Sequence, residues 1–359
     1  MKPFFDAVFT GDLMLGEWHF SRGFGINKVL GRKGSDCFFQ PIKPRLREGK
    51  LVIGNLEGPI APGREARRKP LLADESILPA LKDAGFLVLS IANNHLMEYG
   101  EKRATYTIER LEDSGFIVIG LADKPSRIIK LNGFKVEIIA ADILPVHHSR
   151  PPYPEKVLMY SGKLDEIGAE ICLLLAKSCA ERKIVYLHWG EEFIHQPCPL
   201  QIKWAHRFID SGADAVIGCH PHVPQGIEIY KDKVIAYSLG NFISDMPYPL
   251  TKEGFALGLR FSDEREIEYE AMPYYIDDTF RPYPIEGGEL DDFHRRLEEF
   301  SNFIYTKNSF EDEMTRYGKA AHRAEEELWE WVKGFYRRNI LKYPLSVHWG
   351  WLKEKLGLR

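Results

Sequence analysis

The sequence contains no apolar run long enough to cross a bilayer as a helix. The longest candidate, Ile171 to Ala180, is broken by Lys177 and Ser178 and is followed by charge. A charged leader followed by an apolar core is also missing. Met1-Lys2-Pro3-Phe4-Phe5-Asp6 passes almost directly into a strand-like run, so the expectation is a chain without a signal peptide. Cysteine is sparse, with five residues (Cys37, Cys172, Cys179, Cys198, Cys219) and no Cys-x-x-Cys spacing. An odd count without that spacing argues against a disulfide framework and a thiolate-rich zinc site, and for free thiols in a reducing, cytoplasmic setting. Positive charge is not in excess: the net charge is −4, which gives no global attraction for nucleic acid or an anionic membrane surface. Internal repeats and low-complexity segments are absent too. What remains is the composition of an ordinary globular enzyme, 44% hydrophobic and 28% charged over 359 residues, a length that suits about two domains.

Short apolar, β-branched runs recur along the chain. Phe4 to Thr10, Leu51 to Ile53, Phe86 to Ile91, Phe116 to Ile119, Ile184 to Leu187 and Ala215 to Ile217 read as strands. Helical patterns fall between several of them, at Glu75 to Ala84, Glu101 to Ser114, Leu164 to Ala180 and Leu200 to Ser211. This alternation predicts a layered α/β fold. Asn132-Gly133 lies between two strand-like runs and predicts a hairpin. Two further hairpins are expected, at Ile227 to Tyr237 and at Phe255 to Met272. After residue 286 the character changes. Leu290 to Phe300 and Asp312 to Arg338 are charged, amphipathic and helical in pattern, and Trp329, Trp331, Trp349 and Trp351 fall within the last 31 residues. The expected division is therefore a main domain over residues 1–286 and a helical, Trp-rich extension over 287–359. The tryptophans of that extension either pack on the main body or face a substrate, partner or membrane surface.

The polar residues that carry chemistry cluster at strand ends. Asp12 follows Val8-Phe9-Thr10-Gly11. Asn55 and Glu57 follow Leu51-Val52-Ile53-Gly54, and Asn93, Asn94 and His95 follow Val88-Leu89-Ser90-Ile91-Ala92. His188 follows Ile184-Val185-Tyr186-Leu187, with Glu192 just beyond. His220 and His222 follow Ala215-Val216-Ile217-Gly218, and Asn241 follows Tyr237-Ser238-Leu239-Gly240. Taken singly, each also reads as a turn residue, a helix cap or a packed interior histidine. Taken together they place carboxylates, amide oxygens and imidazoles at the carboxyl ends of apolar strands, where open α/β sheets bind ligands. That donor mix suits Mn, Fe, Co or Zn. His19, His147, His148, His195, His206, His294, His322 and His348 are not expected to be ligands.

In their order the motifs resemble the CapA family, the poly-γ-glutamate capsule synthesis proteins of the calcineurin-like metallophosphatase superfamily. The resemblance rests on Gly11-Asp12, Gly54-Asn55-Leu56-Glu57, Ala92-Asn93-Asn94-His95, His188-Trp189-Gly190-Glu191-Glu192-Phe193, Gly218 to Gly226 and Tyr237-Ser238-Leu239-Gly240-Asn241-Phe242. It implies a four-layer α/β/β/α sandwich with two divalent ions at one sheet edge. By motif, Asp12 and His222 would serve the first ion, Asn94, His188 and His220 the second, and Glu57 both. His95 and Glu192 would be the acid or base groups, and Asn55, Asn93 and Asn241 would meet substrate. Two departures stand out. The superfamily's Asp-x-His has Met14 in place of the histidine, and the Asp expected three residues after His95 is Glu98. The implied activity is a metal-dependent hydrolase or transferase acting on a phosphoester, peptide or γ-glutamyl substrate. Metal-dependent Cα epimerisation of a peptide and a non-catalytic role in a capsule assembly are the alternatives. The partner is a small-molecule or peptide substrate, with no nucleic acid and no integral membrane segment.

Overall fold

The structure, a computed structural model, describes residues 4–143, 159–262, 267–305, 308–343 and 348. His147, His148, Trp349 and Trp351 lie outside the described residues. The first half runs β1 (Phe5–Leu13), α1 (Ile26–Lys33), α2 (Lys43–Leu46), β2 (Gly49–Leu56), β3 (Ile60–Ala61), α3 (Gly63–Ala66), β4 (Ala73–Asp74), α4 (Leu78–Ala84), β5 (Phe86–Ser90), α5 (Glu101–Asp113), β6 (Ile117–Ile119), β7 (Ser126–Leu131) and β8 (Phe134–Ile143). The second half adds α6 (Leu164–Lys177), β9 (Arg182–Trp189), α7 (Pro199–Asp210), β10 (Ala215–Cys219), β11 (Ile227–Tyr230), β12 (Lys233–Ala236) and β13 (Asn241–Ile243). It closes with β14 (Glu253–Phe261), β15 (Ile267–Ile276), β16 (Pro282–Pro284), α8 (Gly288–Asn302) and α9 (Phe310–Asn339).

Two large sheets form. One has the order β16-β15-β14-β1-β2-β5-β6, with β13 also pairing β1, and the other has the order β11-β12-β10-β9-β8-β7. β1, β2, β5 and β6 run parallel, as do β8, β9 and β10, while the three expected hairpins supply antiparallel pairs. Side chains alternate across each strand. From β1, Ala7 and Phe9 enter the layer between the sheets, where they join Ile53, Val88, Ile184, Tyr186 and Ile217. Val8 enters the opposite layer with Leu81, Ala104 and Leu111 of α4 and α5. On the far side, Val185, Leu187 and Val216 pack under Ile171, Leu175, Trp204 and Phe208 of α6 and α7. The architecture is therefore a four-layer α/β/β/α sandwich. Burial on both faces explains why the central strands read as unbroken apolar runs. Phe293 and Leu297 of α8 close one end of the inter-sheet core.

Four strands, β3, β4, β13 and β16, were not visible in the sequence, and β13 matters for the site. Tyr237 to Gly240 was expected to be the strand that Asn241 follows. Instead Gly240 takes a φ of 76°, and Asn241 opens β13, which returns beside β1 in register with Asp12. The Asp12 amide donates to the Gly240 carbonyl at 3.0 Å. This approach has no room for a side chain at Gly11, where a Cβ would stand 1.8 Å from the Gly240 oxygen. Gly11→Ala should therefore lower unfolding free energy by about 2 kcal/mol or more, the scale of a forced overpacking. Urea denaturation would read this, and a loss below about 0.5 kcal/mol, the scale of a neutral surface change, would contradict it.

Candidate metal centre

The parallel strands deliver their polar ends to one place. Asp12 pairs in register with Asn55 across β1 and β2, and His188 pairs with Cys219 across β9 and β10. Below this edge the two sheets are tied by Tyr186, whose hydroxyl donates to the Thr10 carbonyl at 2.7 Å. Asp12, Glu57, His188, His220 and His222 are all buried, each with at most 2% of its surface exposed. The Asn55 amide donates to Asp12 Oδ1 at 2.7 Å and lies 3.1 Å from His188 Nδ1. Asp12 Oδ2 accepts the His220 backbone N–H at 3.0 Å. His220 and His222 both adopt positive φ, 96° and 58°, a costly backbone for residues with a Cβ. Those two turns hold both imidazoles at the strand mouth.

Two ligand groups result, and they share Glu57. One consists of Glu57, His188 and His220, and the other of Asp12, Glu57 and His222. In each, one ligand atom per residue lies within 4.8 Å of the others. In the first, Asn94 Oδ1 and His220 Nδ1 lie 2.9 and 3.0 Å from His188 Nε2. In the second, His222 Nδ1 donates to Asn241 Oδ1 at 2.9 Å, which turns Nε2 toward Glu57 Oε1, 3.7 Å away. A third group, Glu192 with His220 and His222, joins the same cluster.

The titratable groups at this edge shift one another. Burial lifts the Glu57 carboxyl well above the usual range; His222 opposes the shift, while Asp12, Glu192 and Asp142 add to it. Asp12 is pushed up by burial but pulled further down by the hydrogen bond from His222 and the charges of His188 and His222, and so lies below its ordinary value. Burial would depress His222, yet Glu57 and Asp12 push it up to about 10. Neither Glu57 oxygen nor His222 Nε2 has a hydrogen-bond partner among the described residues. Buried carboxylate oxygens and an imidazole nitrogen left in this condition are costly, and divalent cations are what such donor sets hold. The residues present therefore fit a bound metal.

The remaining expected residues sit around this core. His95 Nδ1 lies 3.1 Å from Glu98, and Nε2 faces Glu57 Oε1 at 3.8 Å. Asn93 Oδ1 accepts the N–H groups of His95 and Leu96, and its amide donates to the Leu56 carbonyl at 2.8 Å. Asn241 also donates to Met246 Sδ at 3.6 Å. Three participants escaped the sequence reading. Asp142 is buried on β8 in register with His188, and its position at the end of an apolar run was the available signal. Glu98 entered only as a departure from a motif, yet it is the partner of His95. Phe193, at a φ of 65°, donates its N–H to the Pro221 carbonyl and lays its ring 5.9 Å from that of His222. Of the histidines set aside, His195 and His206 bond elsewhere, to the Pro224 carbonyl and to Glu228.

The profile of the bacterial capsule synthesis protein family PGA_cap matches residues 6–246. This chain belongs to that family. It is 29% identical over 298 residues to "Capsule biosynthesis protein CapA" of Bacillus anthracis, covering 77% of this chain and 68% of that one. It is 28% identical over 317 residues to "PGA biosynthesis protein CapA" of Bacillus subtilis (strain 168), covering 83% and 79%. Among solved structures, a novel phosphatase of Mycoplasma pneumoniae aligns with a TM-score of 0.49 and 13% identity, over 81% of this chain and 98% of that one. Within this PGA_cap chain the Asp-x-His departure has a clear consequence. Met14 is buried with Leu71 and Met246, and its sulfur accepts from the Ser244 hydroxyl at 3.6 Å. That position offers packing where an imidazole would offer a nitrogen. No helix among the described residues is long and apolar enough to cross a membrane.

The mouth of the centre is pinned by another buried carboxyl. Asp245 accepts the backbone N–H groups of Trp18 and Ile26 at 2.8 and 3.0 Å. Burial raises it from 3.8 to about 7, against those two donors. The folded state thus holds this proton more tightly than the unfolded chain does. Its contribution to stability is complete below pH 3.8 and is lost as pH rises through about 7. Chelator-treated protein should lose stability between pH 5 and pH 8 more steeply than Asp245→Asn does. Equal slopes in urea unfolding would contradict this.

Proposed function

We propose that this chain is a divalent-metal-dependent hydrolase or transferase. Its reaction would be at a phosphoester or γ-glutamyl amide centre, in the making of a poly-γ-glutamate capsule. The observation that carries this reading is the pair of buried ligand groups meeting at Glu57, with no hydrogen bond to either of its oxygens among the described residues. Asp12, Glu57 and His222 would hold one ion, and Glu57, His188, His220 and Asn94 the other, with two divalent ions as the cofactor. Bound there, such ions supply an acidified water and a clamp for a developing oxyanion. The names of the two Bacillus relatives, a capsule biosynthesis protein and a PGA biosynthesis protein, support the capsule role.

The chain's own residues have distinct tasks in this reading. Asn55 holds Asp12 and His188 in fixed orientation. Asn241 sets the tautomer of His222, and Asn93 fixes the turn that carries Asn94 and His95. These three amides stand behind the ligands and orient them. Glu98 holds His95 through Nδ1, which leaves Nε2 toward the reacting centre. There a proton on Nε2 can pass to the leaving group. Glu192, half-buried beside His220 and His222, is the second group placed to hold a proton.

A substrate panel of phosphomonoesters, phosphodiesters and γ-glutamyl amides tests this with protein loaded with Mn, Fe, Co or Zn. One class should turn over and be abolished by chelation. His95→Ala should lower kcat by about 10²–10⁴, the usual worth of a general acid. Glu57→Ala should lower it at least as far. Turnover unaffected by chelation or by Glu57→Ala would overturn the reading.

A further inference from the structure

α9 brings its tryptophans to the metal centre. In its first half Met314, Tyr317, Ala321 and Ala324 pack on Ile194, Cys198 and Leu200. This docks the helix on the segment that follows Glu192 and Phe193. Further along, Leu328, Trp329, Trp331 and Val332 form one side of a cavity of about 120 Å³. Trp18, Phe193, Tyr248 and Glu192 are on the other side, with Glu192 the only charged residue among the described residues that line it. The walls are the same side chains that border the centre. The Phe193 ring lies 5.9 Å from that of His222, the Trp18 ring lies 6.1 Å from that of His95, and Glu192 offers a carboxylate oxygen within 4.8 Å of the His220 and His222 nitrogens. Phe193 meets Tyr248 edge-on at 5.6 Å, and Tyr248 meets Trp331 at 5.2 Å, so the aromatic surface is continuous from His222 to α9. Trp329 keeps 54% of its surface exposed at the rim of this cavity.

We propose that this cavity is the subsite for an apolar substituent of the substrate, an aromatic ring or short alkyl chain attached to the group that reacts at the metal centre. This rests on the metal-centre reading above and narrows it. A free carboxylate would meet apolar walls and so would be desolvated without a partner. The substrate is therefore a phosphoester or γ-glutamyl conjugate with an apolar neighbour on that side, rather than an internal linkage flanked by carboxylates. Trp331 and Leu328 select for that neighbour, and α9 is a specificity element.

Binding of three phosphonates to the Mn-loaded full chain, followed by calorimetry, tests this. Benzylphosphonate should bind about tenfold or more tighter than methylphosphonate, from burial of the ring. 3-Phosphonopropionate should gain nothing over methylphosphonate. The benzyl-to-methyl ratio should fall toward 1 in Trp331→Ala, which removes a wall, and in Leu328→Trp, which fills the space. The melting transition of each variant reports whether it is folded. A ratio near 1 in the unmodified chain, or an equal gain from 3-phosphonopropionate, overturns the subsite and leaves the metal centre standing. Failure of all three phosphonates to bind in a metal-dependent way overturns the metal-centre reading itself.

Discussion

The structure is organised around one buried carboxylate. Asp12 lies where the two sheets meet, fully enclosed, and its oxygens and amide hold separate parts of the chain. Asn55 of β2 donates to one oxygen, the His220 backbone at the end of β10 donates to the other, and the Asp12 amide donates to Gly240 just before β13. An ionised group with no access to water is tolerated only when its lone pairs are met and its charge is balanced. Meeting that demand fixes the register of three strands and the strained turns that carry His220 and His222. The cluster then leaves its own demand, both Glu57 oxygens and His222 Nε2 buried without a hydrogen-bond partner among the described residues, and a divalent cation answers it.

The layers serve this edge. Parallel strands in both sheets end on the same side, so residues more than two hundred positions apart come within hydrogen-bonding distance. The aliphatic and aromatic filling between the sheets makes those ends rigid, and the tie from Tyr186 to Thr10 prevents them from sliding. Helices on the two outer faces cover the remaining apolar surface. α9 does something different, since it packs on the segment that carries Glu192 and Phe193 and adds a wall beside the centre.

Much of this was legible in the sequence for a physical reason. Strands buried on both faces leave unbroken apolar runs, and a polar residue directly after such a run has few roles other than a site or a turn. Asp12, Glu57, His188, His220 and His222 carried that signal, and the structure brings them together. Asn241 carried it too, but the sharp turn at Gly240 hid the fact that it begins a new strand. Relations between distant residues were not legible. That Phe193 would lie against His222 depends on backbone turns that composition does not encode. The same holds for Trp331, whose helical period marks an amphipathic face without naming what it covers.

The central claim is that Glu57 is shared by two cation sites at the junction of the sheets. Anomalous diffraction from crystals grown with Mn and recorded at its absorption edge tests this most directly. The account predicts two peaks, one bounded by Glu57, His188 and His220 and one bounded by Asp12, Glu57 and His222, with a Glu57 oxygen on each. Peaks only elsewhere on the protein, or a Glu57 side chain turned away from the metal, would contradict it.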